Sequence, residues 1–309
     1  MNKARVLVLG ASGMLGSMVT DFLSRDERLS VSATMRSPEL ISSAKECMKN
    51  VKWLIFEVKD RLQTTQQLRQ LGSFDWIINA IGVIKPYARD DQPKEVERAI
   101  AVNAAFPHWL ATTFEHARIL QIATDCVYSG TKGCYVESDK HDALDTYGKT
   151  KSLGEVSLPN VHHLRCSIIG PEPKSYVSLL EWFRRQPPGA KISGFTNHLW
   201  NGVTTLHFAK ICHGIIKNDS ALAHLQHVIP SGDITKNGLL RCFARCYGRS
   251  DVKIAAADAP QAVDRTLATE NQQRNNLLWK NAGYQNPPKI EEMVEELTDF
   301  EYRLEDLAK

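Results

Sequence analysis

The chain has 309 residues, of which 43% are hydrophobic and 24% charged, so it can bury a full core and divide into one large and one small domain. Its formal net charge of +3 is spread without a run of like charges, which disfavours a nucleic-acid-binding tail and a polybasic membrane anchor. No stretch approaches the roughly 18 consecutive apolar residues of a membrane span, and the first apolar run is too short for a signal peptide, so we expect a cytoplasmic protein.

The N-terminal half alternates short apolar runs with amphipathic stretches, which is typical of a parallel sheet with helices on both faces. Strands are predicted at residues 5–9, 30–35, 51–57, 76–79, 118–123 and 162–166. Helices are predicted at residues 14–25, 63–71, 95–117 and 147–155. This order predicts an α/β protein with a Rossmann-type doubly wound parallel sheet, whose NAD(P)-binding domain covers residues 1–170.

After residue 170 the alternation ends in an irregular segment rich in proline. We expect residues 171–200 and 233–309 to form a smaller mixed substrate-binding lobe, with helices at 177–185, 236–247 and 290–307. A helix at 206–217 and an apolar strand at 227–230 predict one more unit that returns to the sheet. Residues 201–232 are therefore expected to rejoin the first domain.

A glycine-rich turn, GASGMLG, follows the first predicted strand and opens the first helix. Gly10 permits the tight turn, Gly13 lets backbone N–H groups approach a diphosphate, and Gly16 lets the helix pack closely on the strand. The alternative is that these are ordinary turn glycines. The residues predicted to bind the dinucleotide here are Gly10, Ser12, Gly13, Met14 and Leu15.

The end of the second strand bears on the choice of cofactor. Folds specific for NAD place an acidic residue there, against the ribose 2′-hydroxyl, whereas this chain has Arg36 followed by Ser37. A guanidinium pairs well with a phosphate, so we expect both residues to bind NADP(H), with NAD(H) left open. The alternative is that Arg36 is only a solvated surface charge.

Tyr147 and Lys151 form a YxxxK motif, which places both side chains on one face of a helix. Reduction of a carbonyl requires a proton donor at its oxygen. A tyrosine is a poor donor at its ordinary pKa of about 10 unless a nearby cation lowers that pKa. Lys151 would supply that cation, although YxxxK by itself is a common pattern.

The GxxGxxG spacing resembles that of the short-chain dehydrogenase superfamily, and longer segments resemble its extended members in the dTDP-4-dehydrorhamnose reductase group of nucleotide-sugar 4-ketoreductases. The segments IATDCVYSG, YGKTKSLGE, LRCS and NGVTTLHFA are similar to that group's STDYVFDG, YGxSKxxGE, LRxS and GxPT…DLA. The resemblance covers most of the chain. It implies that Thr124, Tyr147 and Lys151 are catalytic, with Tyr147 and Lys151 also contacting the cofactor.

Further site residues follow from the same resemblance. Asn79, Ala80 and Gly82 match an NAxG segment that closes over the adenosine side of the cofactor. Asn103 matches a helix asparagine that helps to order the active site, and the alternative is a polar residue facing solvent in mid-helix. The residues predicted to contact the substrate are Val83, Thr124, Asp125, Trp200 and Asn201.

The resemblance implies reduction of a 4-keto group on a nucleotide-activated deoxysugar, in the biosynthesis of deoxysugars or surface polysaccharide. Cys126 stands where related 4,6-dehydratases carry a glutamate, so the base for proton abstraction from the sugar is missing. Thr204 replaces a usual proline, and residues 195–200 match the rhamnose enzyme poorly. The alternative for Trp200 is an exposed or core aromatic residue without a role in binding. We expect the substrate to be a 4-keto deoxysugar other than that of the rhamnose enzyme.

Two other functions stay open at this point. A nucleotide-sugar epimerase with tightly bound NAD would use the same residues to oxidise and re-reduce one carbon, although Thr124 and Asp125 fit the reductase pattern better. A non-catalytic NADP-binding regulatory subunit would usually have a damaged catalytic motif, and here the motif is intact. The partners expected are a nucleotide-sugar substrate and a second copy of the chain in a homodimer, with no nucleic acid and no membrane.

The seven cysteines form no CxxC pair. An odd count without that spacing predicts reduced and mostly buried thiols. Cys242 and Cys246 could share a helix face, but two further ligands are not nearby in the sequence, so no metal site is expected.

Overall fold

The strands of this computed structural model, which describes residues 3–305 and residue 307, form one large sheet and several small ones. In chain order they are β1 (Ala4–Leu9), β2 (Leu29–Met35), β3 (Lys52–Ile55), β4 (Trp76–Asn79), β5 (Arg118–Ala123), β6 (Val161–Arg165), β7 (Ile168–Ile169), β8 (Lys191–Phe195), β9 (His198–Trp200), β10 (Val203–Thr204), β11 (Leu225–His227), β12 (Ile234–Thr235), β13 (Lys253–Ala257) and β14 (Val263–Asp264).

Helices connect most of these strands. The α-helices are α1 (Met14–Ser24), α2 (Pro38–Cys47), α3 (Arg61–Gln70), α4 (Pro93–Ala99), α5 (Phe106–Thr113), α6 (Thr146–Leu153), α7 (Leu179–Arg184), α8 (Thr205–Lys217), α9 (Lys236–Cys246), α10 (Gln272–Asn281) and α11 (Ile290–Asp299). Two 3₁₀ turns, Lys85–Tyr87 and Asp125–Val127, and a π-helix, Ile100–Ala105, complete the elements used below.

The central sheet has seven parallel strands in the order β11-β6-β5-β4-β1-β2-β3. Alternate residues of β1 point to opposite faces: Val6 and Val8 pack in the core that contains α1 and α8, while Leu7 and Leu9 pack in the core that contains α3 and α5. Because both faces are covered, the strands are continuous apolar runs. The predicted doubly wound α/β fold is confirmed.

The register of the sheet brings the carboxyl ends of its middle strands to one level. Leu9 of β1 pairs with Asn79 of β4, which in turn pairs with Gln121 of β5. The residues that follow these strands therefore lie along one edge, where doubly wound sheets bind their ligands. The predicted returning strand is Leu225–His227, slightly earlier than expected, and it pairs with β6.

Two helices differ from the predictions for identifiable reasons. The sequence analysis missed α2, although Ser37 caps its first turn and Pro38 begins it, a combination that favours a helix start. The helix predicted over residues 95–117 consists of α4, the π-helix and α5, and ends at Thr113. A π-segment adds one residue to a turn, which changes the direction in which the following side chains point.

Beyond β6 the chain forms small sheets: β8 pairs with β13 and β7 with β10 in parallel, and β9 lies between an antiparallel β12 and a parallel β14. Their helices include α7, α9 and α11. The helix predicted to reach residue 307 ends at Asp299, because the chain turns away to α1, where the Arg303 guanidinium donates to the buried Asp21 carboxylate at 2.7 Å. Residue 306 lies outside the described residues, and the proposed domain boundaries stay a prediction.

All seven cysteines are free thiols. Cys166, Cys212 and Cys242 are buried, but Cys47 and Cys134 are exposed, so the expectation of mostly buried thiols is wrong for these two. Within residues 3–305 and 307, none of the helices has the length and apolar character needed to cross a membrane.

Candidate active site

Two glycines of the glycine-rich turn, Gly10 and Gly16, are closely packed against their neighbours. Gly10 has φ of +85°, and a Cβ there would lie 3.0 Å from Ile81. A Cβ at Gly16 would lie only 2.3 Å from the Gly10 carbonyl oxygen, so α1 can pack against the turn only because residue 16 is glycine. The Gly10 N–H donates to the Thr34 hydroxyl at 3.1 Å, which ties the turn to β2.

The start of α1 fits a diphosphate. Gly13 is the N-cap and has no side chain that could bind the first backbone N–H groups, which have no partner inside the helix. Such groups, next to the positive end of the helix dipole, attract anions. Met14 and Leu15 begin this first turn, so the predicted cofactor residues Gly13, Met14 and Leu15 lie where their backbone can meet a phosphate.

Arg36 and Ser37 follow β2 at the same edge of the sheet. The Arg36 guanidinium is exposed, and its closest carboxylate oxygen, on Glu57, is 4.0 Å away, at the limit of an ion pair. This guanidinium can therefore turn towards an anionic ligand. The Ser37 hydroxyl accepts from the Leu40 N–H at 3.3 Å as the N-cap of α2, so its main contact in the structure is with that helix.

The segment after β4 lies against the glycine-rich turn, since the Ala80 N–H donates to the Leu9 carbonyl at 3.1 Å. The buried Asn79 amide donates to Gln121 at 2.7 Å and accepts from the Ile81 N–H at 3.1 Å. Asn79 therefore holds the shape of the segment and does not offer its amide to a cofactor. Gly82 ends the segment, and a Cβ there would lie 3.5 Å from the Asn103 side-chain oxygen.

Asn103 lies in the π-helix and is almost fully buried. Its amide accepts from the Val83 N–H at 2.8 Å, donates to the Val83 carbonyl at 2.9 Å, and lies 3.3 Å from the Thr150 hydroxyl on α6. The alternative of a solvent-facing residue is therefore wrong. Asn103 joins three segments of the site, and it holds Val83, a predicted substrate residue, through its backbone.

The structure brings the three predicted catalytic residues together at the end of β5. Thr124 is the first residue after β5, and the Lys151 ammonium donates to the Ile122 carbonyl on the same strand at 2.9 Å. Tyr147 lies one helical turn before Lys151 on α6, and this helix packs against the 3₁₀ turn Asp125–Val127, which Thr124 caps. Two hydroxyls and one ammonium therefore meet at the carboxyl edge of the sheet.

Helix α6 is held in place at its N-terminus. The Asp145 carboxylate caps the helix by accepting from the Gly148 N–H at 2.8 Å, and it also accepts from the Lys85 ammonium at 2.8 Å. A Cβ at Gly148 would lie 2.5 Å from the Cys126 carbonyl oxygen. Because residue 148 is glycine, the helix can approach the chain after β5 closely enough to place Tyr147 beside Thr124.

The pKa of Tyr147 does not shift in the expected direction. Burial raises the pKa of Tyr147, although the Thr124 side chain acts to lower it. Burial also lowers the pKa of Lys151 to about 8, against the effect of the nearby Glu155 carboxylate, which raises it. The expected lowering of the tyrosine pKa is therefore not found in this structure, in which the Lys151 ammonium donates to the Ile122 carbonyl of β5.

Asp125 and Cys126 follow Thr124 in the 3₁₀ turn after β5. Burial raises the pKa of Asp125, while the Arg265 guanidinium acts to lower it. Burial also raises the pKa of the Cys126 thiol to about 12, so this residue is neither a base nor a ready nucleophile near neutral pH. Arg265, which follows β14 and donates to the Tyr128 carbonyl at 2.9 Å, brings a cation to this side of the site. No sequence pattern indicated Arg265.

Trp200 and Asn201, the residues predicted to contact the sugar or nucleotide, have other partners. The Asn201 amide donates to the Leu267 carbonyl at 2.7 Å and accepts from the Leu267 N–H at 2.9 Å. Its polar atoms are therefore used in a bridge within the protein, which corrects the prediction. The Trp200 indole N–H donates to the Ser167 hydroxyl at 2.8 Å, so only its ring remains for a ligand.

Comparisons with known proteins agree with the motifs. The model of the RmlD substrate binding domain family matches residues 4–170, whereas no curated protein matches the sequence. The fold is similar to a dTDP-4-dehydrorhamnose reductase from Bacillus anthracis in complex with NADP (18% identity, TM-score 0.70, 96% of this chain and 98% of that chain).

It is also similar to a dTDP-4-dehydrorhamnose reductase from Clostridium acetobutylicum (20% identity, TM-score 0.67, 96% of this chain and 98% of that chain). A UDP-glucuronic acid 4-epimerase from Bacillus cereus, in complex with UDP-glucuronic acid and NAD, is similar at 16% identity and a TM-score of 0.71, over 96% of this chain and 98% of that chain. At these identities the similarity shows the fold, and the family resemblance drawn from the motifs is confirmed by the family model.

Proposed function

Because this chain belongs to the RmlD substrate binding domain family, we propose that it is an NADPH-dependent reductase of the 4-keto group of a nucleotide-activated deoxysugar. The observation that carries the proposal is the placement of Thr124, Tyr147 and Lys151 at the carboxyl end of β5, on the same edge of the sheet as the glycine-rich turn. A regulatory subunit without catalysis would not need these three groups together.

The residues at the sheet edge fit a dinucleotide. The uncapped start of α1 would hold the diphosphate, and Arg36 would hold the adenosine ribose phosphate. Lys151 would hold the nicotinamide ribose. The Bacillus anthracis reductase was solved with NADP and the Bacillus cereus epimerase with NAD, so NADP(H) is proposed as the cofactor, with NAD(H) as the second choice.

The cofactor, when bound, supplies the hydride for the ketone carbon. Tyr147 donates the proton of its phenol to the ketone oxygen, and its raised pKa keeps that proton in place until the oxygen becomes negative. The Thr124 hydroxyl now donates to the Asp125 carboxyl at 3.2 Å; turned towards the ketone, it would donate a second hydrogen bond. Lys151, turned from the Ile122 carbonyl towards the phenol, would stabilise the phenolate that remains, provided that its amine is protonated.

The state of Lys151 predicts the pH dependence. With its pKa lowered to about 8 by burial, Lys151 is charged at lower pH and neutral at higher pH. We expect kcat/KM for NADPH, which reports on the free enzyme, to fall about tenfold per pH unit above that value. Initial rates measured from neutral to strongly alkaline pH test this. Rates that stay level until the pH nears the ordinary lysine pKa would contradict the assignment.

The proposed reaction is tested by incubating the protein with NADPH and a panel of 4-keto-6-deoxy sugar nucleotides. Loss of NADPH absorbance and the configuration of the new hydroxyl are followed together. Stoichiometric oxidation of NADPH supports the reductase. An epimerase would instead copurify with NAD that does not exchange, and would interconvert sugars without net consumption. If the protein does neither but changes the kinetics of a partner enzyme, the regulatory function is correct.

The nucleotide-sugar substrate is part of this proposal, as are a cytoplasmic location and a homodimer. None of these three depends on the catalytic geometry. The sugar, its nucleotide and the product stereochemistry are decided by the substrate panel, because a fold by itself does not determine a substrate.

A further inference from the structure

A loop between β7 and α7 reaches across to the glycine-rich turn. Within this loop, the Lys174 ammonium donates a hydrogen bond to the Ser12 hydroxyl at 2.9 Å. Ser12 belongs to the turn predicted to bind the dinucleotide, whereas Lys174 lies 162 residues further along the chain, in the segment predicted to belong to the substrate lobe. The contact therefore places a cation from the second half of the chain at the proposed cofactor site.

The conformation of this loop is held from several sides. The buried Glu172 carboxylate accepts from the Ser178 N–H at 2.7 Å and closes the loop. Ser175 and Tyr176 have φ of +71° and +53°, a left-handed conformation that costs energy for residues other than glycine. The Arg185 guanidinium lies over the Tyr176 ring at 3.4 Å. Backbone strain that is kept in place in this way tends to occur at functional sites.

The positive charges near this loop favour the binding of an anion. Lys174 is half-buried and, within the described part of the chain, makes no ion pair. Burial and the positive charge of Arg36 both lower the pKa of Lys174. Arg36 itself has only the Glu57 carboxylate, 4.0 Å away. Two neighbouring cations repel each other, and an anion that binds between them relieves this repulsion.

We propose that Lys174 and Arg36 together bind the 2′-phosphate of NADPH, and that Lys174 makes this chain prefer NADPH to NADH. The end of β2, where Arg36 lies, is the place at which dinucleotide folds recognise the ribose 2′ position. The diphosphate is expected one turn away, at the start of α1. The inference rests on the proposed binding of NADPH, and it adds a residue from outside the glycine-rich domain to that site.

The test uses two ligands without a nicotinamide ring, so that binding is separated from reduction. The full chain is titrated with 2′-phospho-ADP-ribose and with ADP-ribose by calorimetry. The variant Lys174→Met keeps most of the side-chain length and removes the charge, while Lys174→Arg keeps the charge. Lys52→Met is the control. Lys52 is exposed at the amino end of β3, whereas the proposed cofactor site lies at the carboxyl ends of the strands.

We expect the unaltered chain and Lys52→Met to prefer 2′-phospho-ADP-ribose. In Lys174→Met this preference should fall about tenfold, with ADP-ribose affinity unchanged, and Lys174→Arg should keep most of the preference. Equal weakening of both ligands, or an unchanged preference in Lys174→Met, would overturn the inference and leave the proposed reductase in place. Failure of the unaltered chain to bind either ligand would overturn the proposed function as well.

Discussion

Replacing Tyr147 by phenylalanine is expected to lower kcat/KM for reduction of the keto sugar by about 10²- to 10⁴-fold, the usual contribution of a positioned general acid. The variant keeps the aromatic ring, so the packing of this ring against the core that contains α3 and α5 should survive. It loses only the hydroxyl, whose proton is proposed to pass to the ketone oxygen. Initial rates with the best sugar of the panel measure the loss.

Binding of NADPH, followed by fluorescence, should be largely unchanged in Tyr147→Phe, because the glycine-rich turn and Arg36 are not altered. Tyr87→Phe is the matched control: Tyr87 is exposed, and its hydroxyl makes no hydrogen bond to any described residue. We expect this control to keep its activity. Turnover by Tyr147→Phe at the unaltered rate would show that another group protonates the product.

Replacing Glu155 by alanine is expected to lower the free energy of unfolding by about 3–5 kcal/mol, the usual cost of leaving a buried charge without its partner. The Arg165 side chain is fully buried and donates to the Glu155 carboxylate. It also donates to the Tyr128 hydroxyl at 2.6 Å, to His141 at 2.8 Å and to His227 at 3.0 Å. These three groups are neutral partners, so among the described residues Glu155 balances the charge of Arg165.

Urea unfolding measures this loss of stability. Glu295→Ala is the control, because the ion pair of Glu295 with Arg245 is more than half exposed on both sides, and such pairs contribute about 0–1 kcal/mol. Equal losses of unfolding free energy in Glu155→Ala and Glu295→Ala would contradict the prediction that breaking the buried pair costs more than breaking the exposed one.

Glu155 also connects this network with catalysis. Its carboxylate acts to raise the pKa of Lys151, so Glu155→Gln, which keeps the shape and removes the charge, should lower that pKa further. We expect the alkaline fall of kcat/KM to begin at a lower pH in this variant. A purely structural role for Glu155 would change stability and leave the pH profile in place.

The sequence predicted the large sheet well because its signals are local. Apolar runs, the spacing of Gly10, Gly13 and Gly16, and the i,i+4 relation of Tyr147 and Lys151 each depend on a few neighbouring residues. The missed helix α2 had a local signal as well, in the Ser37 cap. The interruption of residues 95–117 by a π-helix had none, because a π-segment is selected by packing around Asn103.

What the sequence determined by itself is therefore the doubly wound fold, the glycine-rich turn and the grouping of Thr124, Tyr147 and Lys151. The tertiary structure decided how particular polar groups are used. The Asn201 amide binds the Leu267 backbone, the Lys151 ammonium turns to β5, and Lys174 meets Ser12. Each of these partnerships joins residues far apart in the chain, and which of them form depends on packing and on the need to satisfy every buried polar group.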